Sequence, residues 1–211
     1  MSRRWRLLGA VGLVVVGACG TDGRTLAPPG PDQTLPPSTA AQPAIESQAG
    51  STRPPQVAGE GGMLLSSPAF IPGGPIPHAN SCYGENTPPP LSWQGVPEGT
   101  EELAISLVEE RPDGRSVHWV VAGLDPAVAG IAGGTLPDGA VETTNDFAEV
   151  GWFGPCPDAD GVAELVFGLY ALPMPSGLGP GAGGTESLEA IEAAATDVAQ
   201  LTVTFERPQQ G

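Results

Sequence analysis

Proline and glycine set the strongest limit on this chain. The 211 residues hold 25 prolines and 31 glycines. Each proline fixes φ and removes a backbone donor that a helix interior needs, and each glycine weakens a helix. Between Pro126 and Gly161 the two recur too often for any helix. From Gly20 to Gly62 the composition is Pro, Gly, Ser, Thr, Gln and Ala with almost no large apolar side chain. That stretch cannot bury enough surface to offset the entropy of ordering, so residues 19–62 read as a disordered tether kept extended by its prolines. The folded domain is expected over residues 63–208.

Within those limits the patterns are those of short strands. Leu103, Ile105 and Leu107 alternate with Ala104, Ser106 and Val108. Val117 to Val121 is a β-branched and aromatic run. Leu165, Phe167 and Leu169 alternate with Val166, Gly168 and Tyr170, which predicts a strand buried on both faces. Leu201, Val203 and Phe205 alternate with Thr202 and Thr204, a last strand with one polar face. One helix is expected late in the chain. Thr185 is placed to cap it, Glu186 and Glu189 suit its N-terminal dipole, and Leu188, Ile191, Ala195 and Val198 form its apolar stripe. The fold class is therefore mostly β: an antiparallel β-sandwich with a C-terminal helix packed on it.

The N-terminus predicts export. Arg3, Arg4 and Arg6 precede an apolar run from Leu7 to Val16, then Gly17-Ala18-Cys19. Residues 1–18 thus have the charged, apolar and small-residue regions of a cleaved signal peptide. The competing reading, a membrane-spanning anchor, suffers from a run far shorter than the roughly 20 residues needed to cross a bilayer. Val16-Gly17-Ala18-Cys19 resembles the lipobox of bacterial lipoproteins, in which the cysteine carries the lipid; an ordinary signal peptide with an incidental cysteine is the alternative. With Cys19 lipidated, the expected location is the outer face of the cytoplasmic membrane, held by acyl chains.

The charge balance narrows the partners. The formal charge is −16, and losing three signal-peptide arginines makes it −19 (−16 − 3). Lysine is absent throughout. Such a surface repels nucleic acid and anionic headgroups, so no nucleic-acid partner is expected, and membrane attachment falls to the lipid. Cys82 and Cys156 are the two side-chain thiols left. In an exported chain an even pair suggests a disulfide, with two buried free thiols as the other arrangement.

Several segments, read in order, look like the phosphatidylethanolamine-binding protein family, in particular its bacterial Raf-kinase-inhibitor-like branch. They are Ser67-Pro68-Ala69-Phe70 with Ile76-Pro77, the run from Cys82 through Gly84-Glu85-Asn86 and Pro88-Pro89-Pro90-Leu91 to Trp93, and Val117-His118-Trp119-Val120-Val121. Asn145-Asp146-Phe147, Gly151 and Gly154-Pro155-Cys156-Pro157 come next, then Leu169-Tyr170-Ala171-Leu172 and the helix–strand tail. The resemblance covers the whole domain. It implies a β-sandwich with a small anion-accepting pocket at one end. That pocket is made of an Asp-Pro-Asp loop, the His-Trp histidine, the Gly-Pro-Cys-Pro loop and a second histidine. By that resemblance the ligand-binding residues are Glu110, His118, Trp152, Gly154, Pro155 and Cys156, and no catalytic residue, metal or cofactor is implied.

Two pocket positions depart from the family. The Asp-Pro-Asp loop reads Glu109-Glu110-Arg111-Pro112-Asp113. Counting back from His118 places Glu110 at the first aspartate, and counting forward along the strand places Glu109 there. Counting back from Phe167 places Ala163 at the second histidine and Leu165 at the accompanying tyrosine. Arg111 or Arg115 could replace the lost positive charge, or both could be solvated loop residues. His78 reads as a loop histidine, Asp158 and Asp160 as an acidic turn, and Gly177–Gly184 as a loop without a phosphate-cradle context. The expected function is a non-enzymatic, membrane-anchored module binding a small anion or polar headgroup. The alternative is an inhibitor or protein-interaction module with a protease or cell-envelope partner.

Overall fold

The computed structural model describes residues 55–157 and 161–208. The signal segment, Cys19, most of the tether, Asp158 and Asp160 lie outside the described residues. Six strands form the larger sheet: Gln56–Val57 (β1), Glu102–Arg111 (β4), Gly114–Leu124 (β5), Val141–Glu142 (β7), Val162–Leu172 (β8) and Asp197–Glu206 (β9). Their order is β1-β9-β8-β4-β5-β7. Leu64–Ser66 (β2), Leu91–Gln94 (β3) and Gly130–Ile131 (β6) make a smaller sheet in the order β2-β3-β6. All the strand pairs are antiparallel. A single helix among the described residues, α1 (Gly184–Ala194), lies between β8 and β9 in sequence.

Strand alternation explains the layers. Leu103, Ile105 and Leu107 of β4 point into one core with Leu165, Phe167 and Leu169 of β8, Leu201 and Val203 of β9, and Leu65, Leu91 and Trp93 of the small sheet. The alternate residues Ala104 and Val108 face the other way, where Val117, Val120, Tyr170 and Leu172 meet Leu188 and Ile191 of α1. Both faces of β8 are thus buried, one by the second sheet and one by the helix. Burying a side chain such as Leu188 or Ile191 contributes roughly 1.5–3 kcal/mol.

Strand β5 is irregular at its histidine. Leu107 pairs with Trp119, but the next residue, Val108, pairs with Val117, so His118 is skipped in the β4–β5 register. Two residues on β5 therefore oppose one on β4, the count of a β-bulge. The bulge lets Val117 and Val120 share the helix-covered face while Trp119 enters the inter-sheet core. It also re-aims the imidazole of His118 toward Glu109.

Several expectations need correction. The domain starts before residue 63, because β1 pairs with Leu201 and Gln200 of β9, and the Gly61 N–H donates to Asp197. An edge strand held through its backbone leaves little hydrophobic signature. Thr185 does not cap α1. Gly183 is the N-cap, without a side-chain hydrogen bond, and the Thr185 hydroxyl donates to Asp146 Oδ1 at 2.9 Å. The stripe ends at Ile191 within the helix, since Ala195 is its C-cap and Val198 belongs to β9, although both pack on the same cluster. On β9, Thr202 is buried rather than exposed: its N–H donates to the Pro55 carbonyl and its own carbonyl accepts from Gly73 N–H.

Candidate functional site

Near the tip of the β4–β5 hairpin, alternation sends Glu109 and Arg111 to one face and Glu110 to the other. On the Glu109 face lies an open groove of about 480 Å³, lined by Glu109, Arg111, Asp113, Phe147, Cys156 and Ala163 together with Pro112, Pro157, Gly161 and Val162. The groove sits over a fully buried His118. The His118 Nδ1 lies 2.8 Å from the Phe153 carbonyl and Nε2 lies 3.1 Å from Glu109 Oε2. Both ring nitrogens thus face protein oxygens. Arg111 Nη2 donates to the same Glu109 oxygen at 2.7 Å.

The Glu109 carboxyl therefore anchors a three-residue arrangement. Burial pushes its pKa up. The hydrogen bonds from His118 and Arg111, with the charge of Arg111, outweigh that and bring it from 4.5 down to about 2. At neutral pH Glu109 is an anion that positions a guanidinium at the groove wall.

Loops supply the remaining walls. Asp146 ties the Asn145-Asp146-Phe147 loop to β5, accepting from Val117 N–H at 2.7 Å while its own N–H donates to the Val117 carbonyl. This holds Phe147 with its ring centroid 4.8 Å from His118 and 4.2 Å from Phe153. A disulfide joins Cys82 to Cys156, with Cα atoms 5.3 Å apart, and fastens the Gly154–Pro157 loop to the Asn80–Asn86 loop. The same two loops share hydrogen bonds from Gly154 N–H to Asn86 Oδ1, from Cys82 N–H to the Pro155 carbonyl and from the Tyr83 hydroxyl to the Pro157 carbonyl. Gly154 must be glycine here, because a Cβ would run into the Asn80 backbone.

The structure brings together only part of the expected ligand set. Cys156 lines the groove and His118 lies beneath it, engaged at both nitrogens. Glu110 does not belong there; it lines a separate hollow with Arg115, Tyr170 and Glu192. The reason is the two-residue period of β4, which makes Glu109 the carboxylate beside His118. Trp152 is a core residue, edge-on to Trp119 at 5.3 Å and stacked on Phe167 at 6.2 Å. Gly154 and Pro155 are buried behind the groove, and the Gly154 N–H is committed to Asn86 rather than to a ligand. Ala163 does line the groove, where the family resemblance expects a histidine, and Leu165 is buried in the core. His78 lies in a short 3-10 turn, and its carbonyl accepts from Ser81. Sequence patterns assign no role to Phe147 or Val162. Phe147 stands within a recognised motif, but nothing in that motif says that its ring covers the histidine.

This architecture recurs in known proteins. The family model for phosphatidylethanolamine-binding protein matches residues 66–206. A Mycobacterium tuberculosis (strain H37Rv) protein named as lipoprotein LppC is 38% identical over 201 residues, covering 92% of this chain and 91% of its own length. The UPF0098 protein of Methanothermobacter thermautotrophicus is 40% identical over 153 residues, covering 69% of this chain and 99% of its own. Among solved structures, a phosphatidylethanolamine-binding protein homologue of Chlamydia trachomatis superposes with a TM-score of 0.63 at 33% identity, covering 69% of this chain and 98% of that one. Escherichia coli YbcL, described as a member of the mammalian family, gives 0.64 at 26% identity, covering 69% and 99%. By sequence and by fold, the chain belongs to the phosphatidylethanolamine-binding protein family.

Proposed function

We propose that this protein is a non-enzymatic binding module, exported and tethered by a lipid on Cys19 to the outer face of the cytoplasmic membrane, whose groove holds a small anion or polar headgroup. The observation that carries the reading is the groove itself. It is open, carries Arg111 on its wall, and rests on a histidine that is wholly buried with both ring nitrogens engaged. A general base must reach a substrate proton, and His118 is fully buried with both ring nitrogens within hydrogen-bond distance of protein oxygens. That favours binding over catalysis. The anchoring half of the proposal draws on the Val16–Cys19 lipobox and on the name of the mycobacterial relative. That relative's match covers more of this chain than residues 55–211 alone could supply.

Ala163 provides the test of the groove. It stands on the groove wall without a donor, so Ala163→His should add one imidazole contact to a bound oxyanion. A hydrogen bond to a charged group contributes roughly 1.5–3 kcal/mol, or about tenfold in affinity or more. Calorimetry with phosphoethanolamine should show tighter binding to Ala163→His than to wild type. Binding that is unchanged by Ala163→His, or that maps by NMR away from Glu109, Phe147 and Cys156, overturns the site. For the anchor, Cys19→Ala should move the protein out of the detergent-extracted membrane fraction, and retention there overturns the lipid attachment.

A further inference from the structure

Lysine is absent from the whole sequence, and five arginines follow the expected signal peptide: Arg24, Arg53, Arg111, Arg115 and Arg207. Three of the five stand directly before a proline, as Arg53-Pro54, Arg111-Pro112 and Arg207-Pro208. With 25 prolines among 211 residues, chance alone puts a proline after about one residue in eight (25/211). Arg24 and Arg53 lie outside the described residues, while the other three have places in the fold that decide how a protease meets them. We infer that the folded domain is closed to arginine- and lysine-specific endoproteases of the trypsin type, and that such a protease acts on the exported chain at one bond, Arg24–Thr25, which frees the domain whole from its anchor. The freeing rests on the lipid attachment proposed for Cys19; the closure of the domain does not.

Two devices close the domain. A trypsin-type protease takes a basic side chain into an acidic specificity pocket and holds the chain extended across its cleft. A proline after the arginine fixes φ and puts a ring where the cleft meets an N–H. That device guards the β4–β5 hairpin tip. Arg111 pairs with Gly114 across a two-residue turn of Pro112 and Asp113, and all four residues are exposed. Exposed tips are where folded domains are nicked, so a cleavable arginine here would be the point of attack. Proline also guards the C-terminal end, where Arg207 follows the last residue of β9 and Pro208 comes next.

Arg115 has no proline after it, and the fold protects it instead. Its peptide bond to Ser116 lies inside β5, with Arg115 opposite Glu110 and Ser116 opposite Glu109 of β4. Its guanidinium is held by Glu192 of α1, with two nitrogens at 2.7 and 3.3 Å from the carboxylate. The residues that follow, Val117, His118 and Trp119, are buried. To reach an active site, this strand must leave β4 and draw Trp119 out of the core. Cleavage after Arg115 therefore tracks the opened population rather than the native one. At the tip and the end of the domain proline is the guard, and within the sheet it is the fold.

The test is limited digestion with trypsin, read by intact-mass spectrometry. The purified exported chain in native buffer should be cut once, after Arg24, leaving residues 25–211 as a fragment that persists on prolonged digestion. Any cut after Arg111, Arg115 or Arg207 in the folded protein overturns the closure, and an uncut Arg24–Thr25 bond overturns the release. Unfolding the domain in urea should open one further bond, Arg115–Ser116; the same rate of cutting there without urea overturns the protection by β5. Pro112→Ala, checked for an unchanged melting temperature, should be nicked after Arg111 roughly tenfold faster or more than wild type. Equal resistance of that variant overturns the role given to Pro112. On isolated membranes trypsin should release the fragment from wild type and not from Arg24→Gln, and release from that variant overturns the assigned bond. If the chain is absent from the membrane fraction before digestion, the lipid reading falls, while the single native cut is still decided on the purified protein.

Discussion

The two faces of the β4–β5 hairpin carry similar chemistry and come to opposite ends. On one face Glu109, Arg111 and His118 flank an open groove of about 480 Å³. On the other Glu110, Arg115, Tyr170 and Glu192 surround a hollow of about 30 Å³, with room for roughly one water. Each has an acid, a guanidinium and a polar ring. The difference is cover. Helix α1 sets Leu188 and Ile191 against the sheet and brings Glu192 down to Arg115, and burial there pushes the Tyr170 hydroxyl pKa up. The opposite face is walled at this end by loops, with a disulfide fastening one of them, and keeps an opening. Where a helix lays an apolar stripe on a sheet, polar groups become internal ties; where loops form the rim, similar groups can meet a ligand.

If loops and a disulfide hold the open face together, losing the disulfide should be the largest single effect. Cys82 and Cys156 are 74 residues apart, and the chain-entropy treatment gives about 4 kcal/mol for closing such a loop. The double Ser variant should lose about that much in urea denaturation, with groove binding weakened as well. A loss below 1 kcal/mol would mean that the hydrogen bonds of Gly154, Cys82 and Tyr83 suffice to join the two loops.

On the closed face the corresponding strike is Leu188→Ala, which removes a fully buried side chain from beneath α1. Large-to-small changes of this kind cost about 2–5 kcal/mol, and about 3 is expected at this site. The variant should also raise hydrogen exchange in α1 while leaving phosphoethanolamine binding intact, because the groove is on the other side of the sheet. Loss of binding together with stability would show that the two faces are coupled.

Glu109→Gln sharpens the comparison through pH. The folded-state pKa of Glu109, about 2, lies below its ordinary 4.5. Its ionised form thus contributes stability fully above about pH 4.5, and that contribution is lost as pH falls through about 2. At pH 7 the variant should lose about 1–3 kcal/mol, the cost of weakening a charge-assisted contact to a buried group. The gap between variant and wild type in urea midpoint should close on acidification. A gap that persists at pH 2 would point to packing rather than charge.

The smallest effect should come from Arg115→Gln. The Arg115–Glu192 pair is well formed but substantially exposed, with side chains 40% and 35% accessible. Such pairs contribute roughly 0–1 kcal/mol, so its melting temperature should fall by only a few degrees at most. A larger loss would show that the clasp, rather than Leu188 and Ile191, keeps α1 on the sheet.

The sequence by itself determined the strands, because their signal is local. The alternation in 103–108, 165–170 and 201–205 is a direct consequence of side chains pointing to opposite faces, and each segment lies within a strand of the larger sheet. The helix was legible for the same reason, and the motif order was enough to identify the family. The cysteine count left two arrangements open, and only proximity in the fold joined Cys82 to Cys156. Tertiary structure likewise decided which carboxylate meets His118. Two ways of counting gave Glu109 or Glu110, since a β-bulge adds a residue without marking itself in composition. It decided that Trp152 is core, that Arg111 and Arg115 serve opposite faces, and that β1 extends the domain before residue 63. Each of these depends on partners far away in sequence. Periodicity reports which residues share a face, but what covers that face is set by the elements that pack on it.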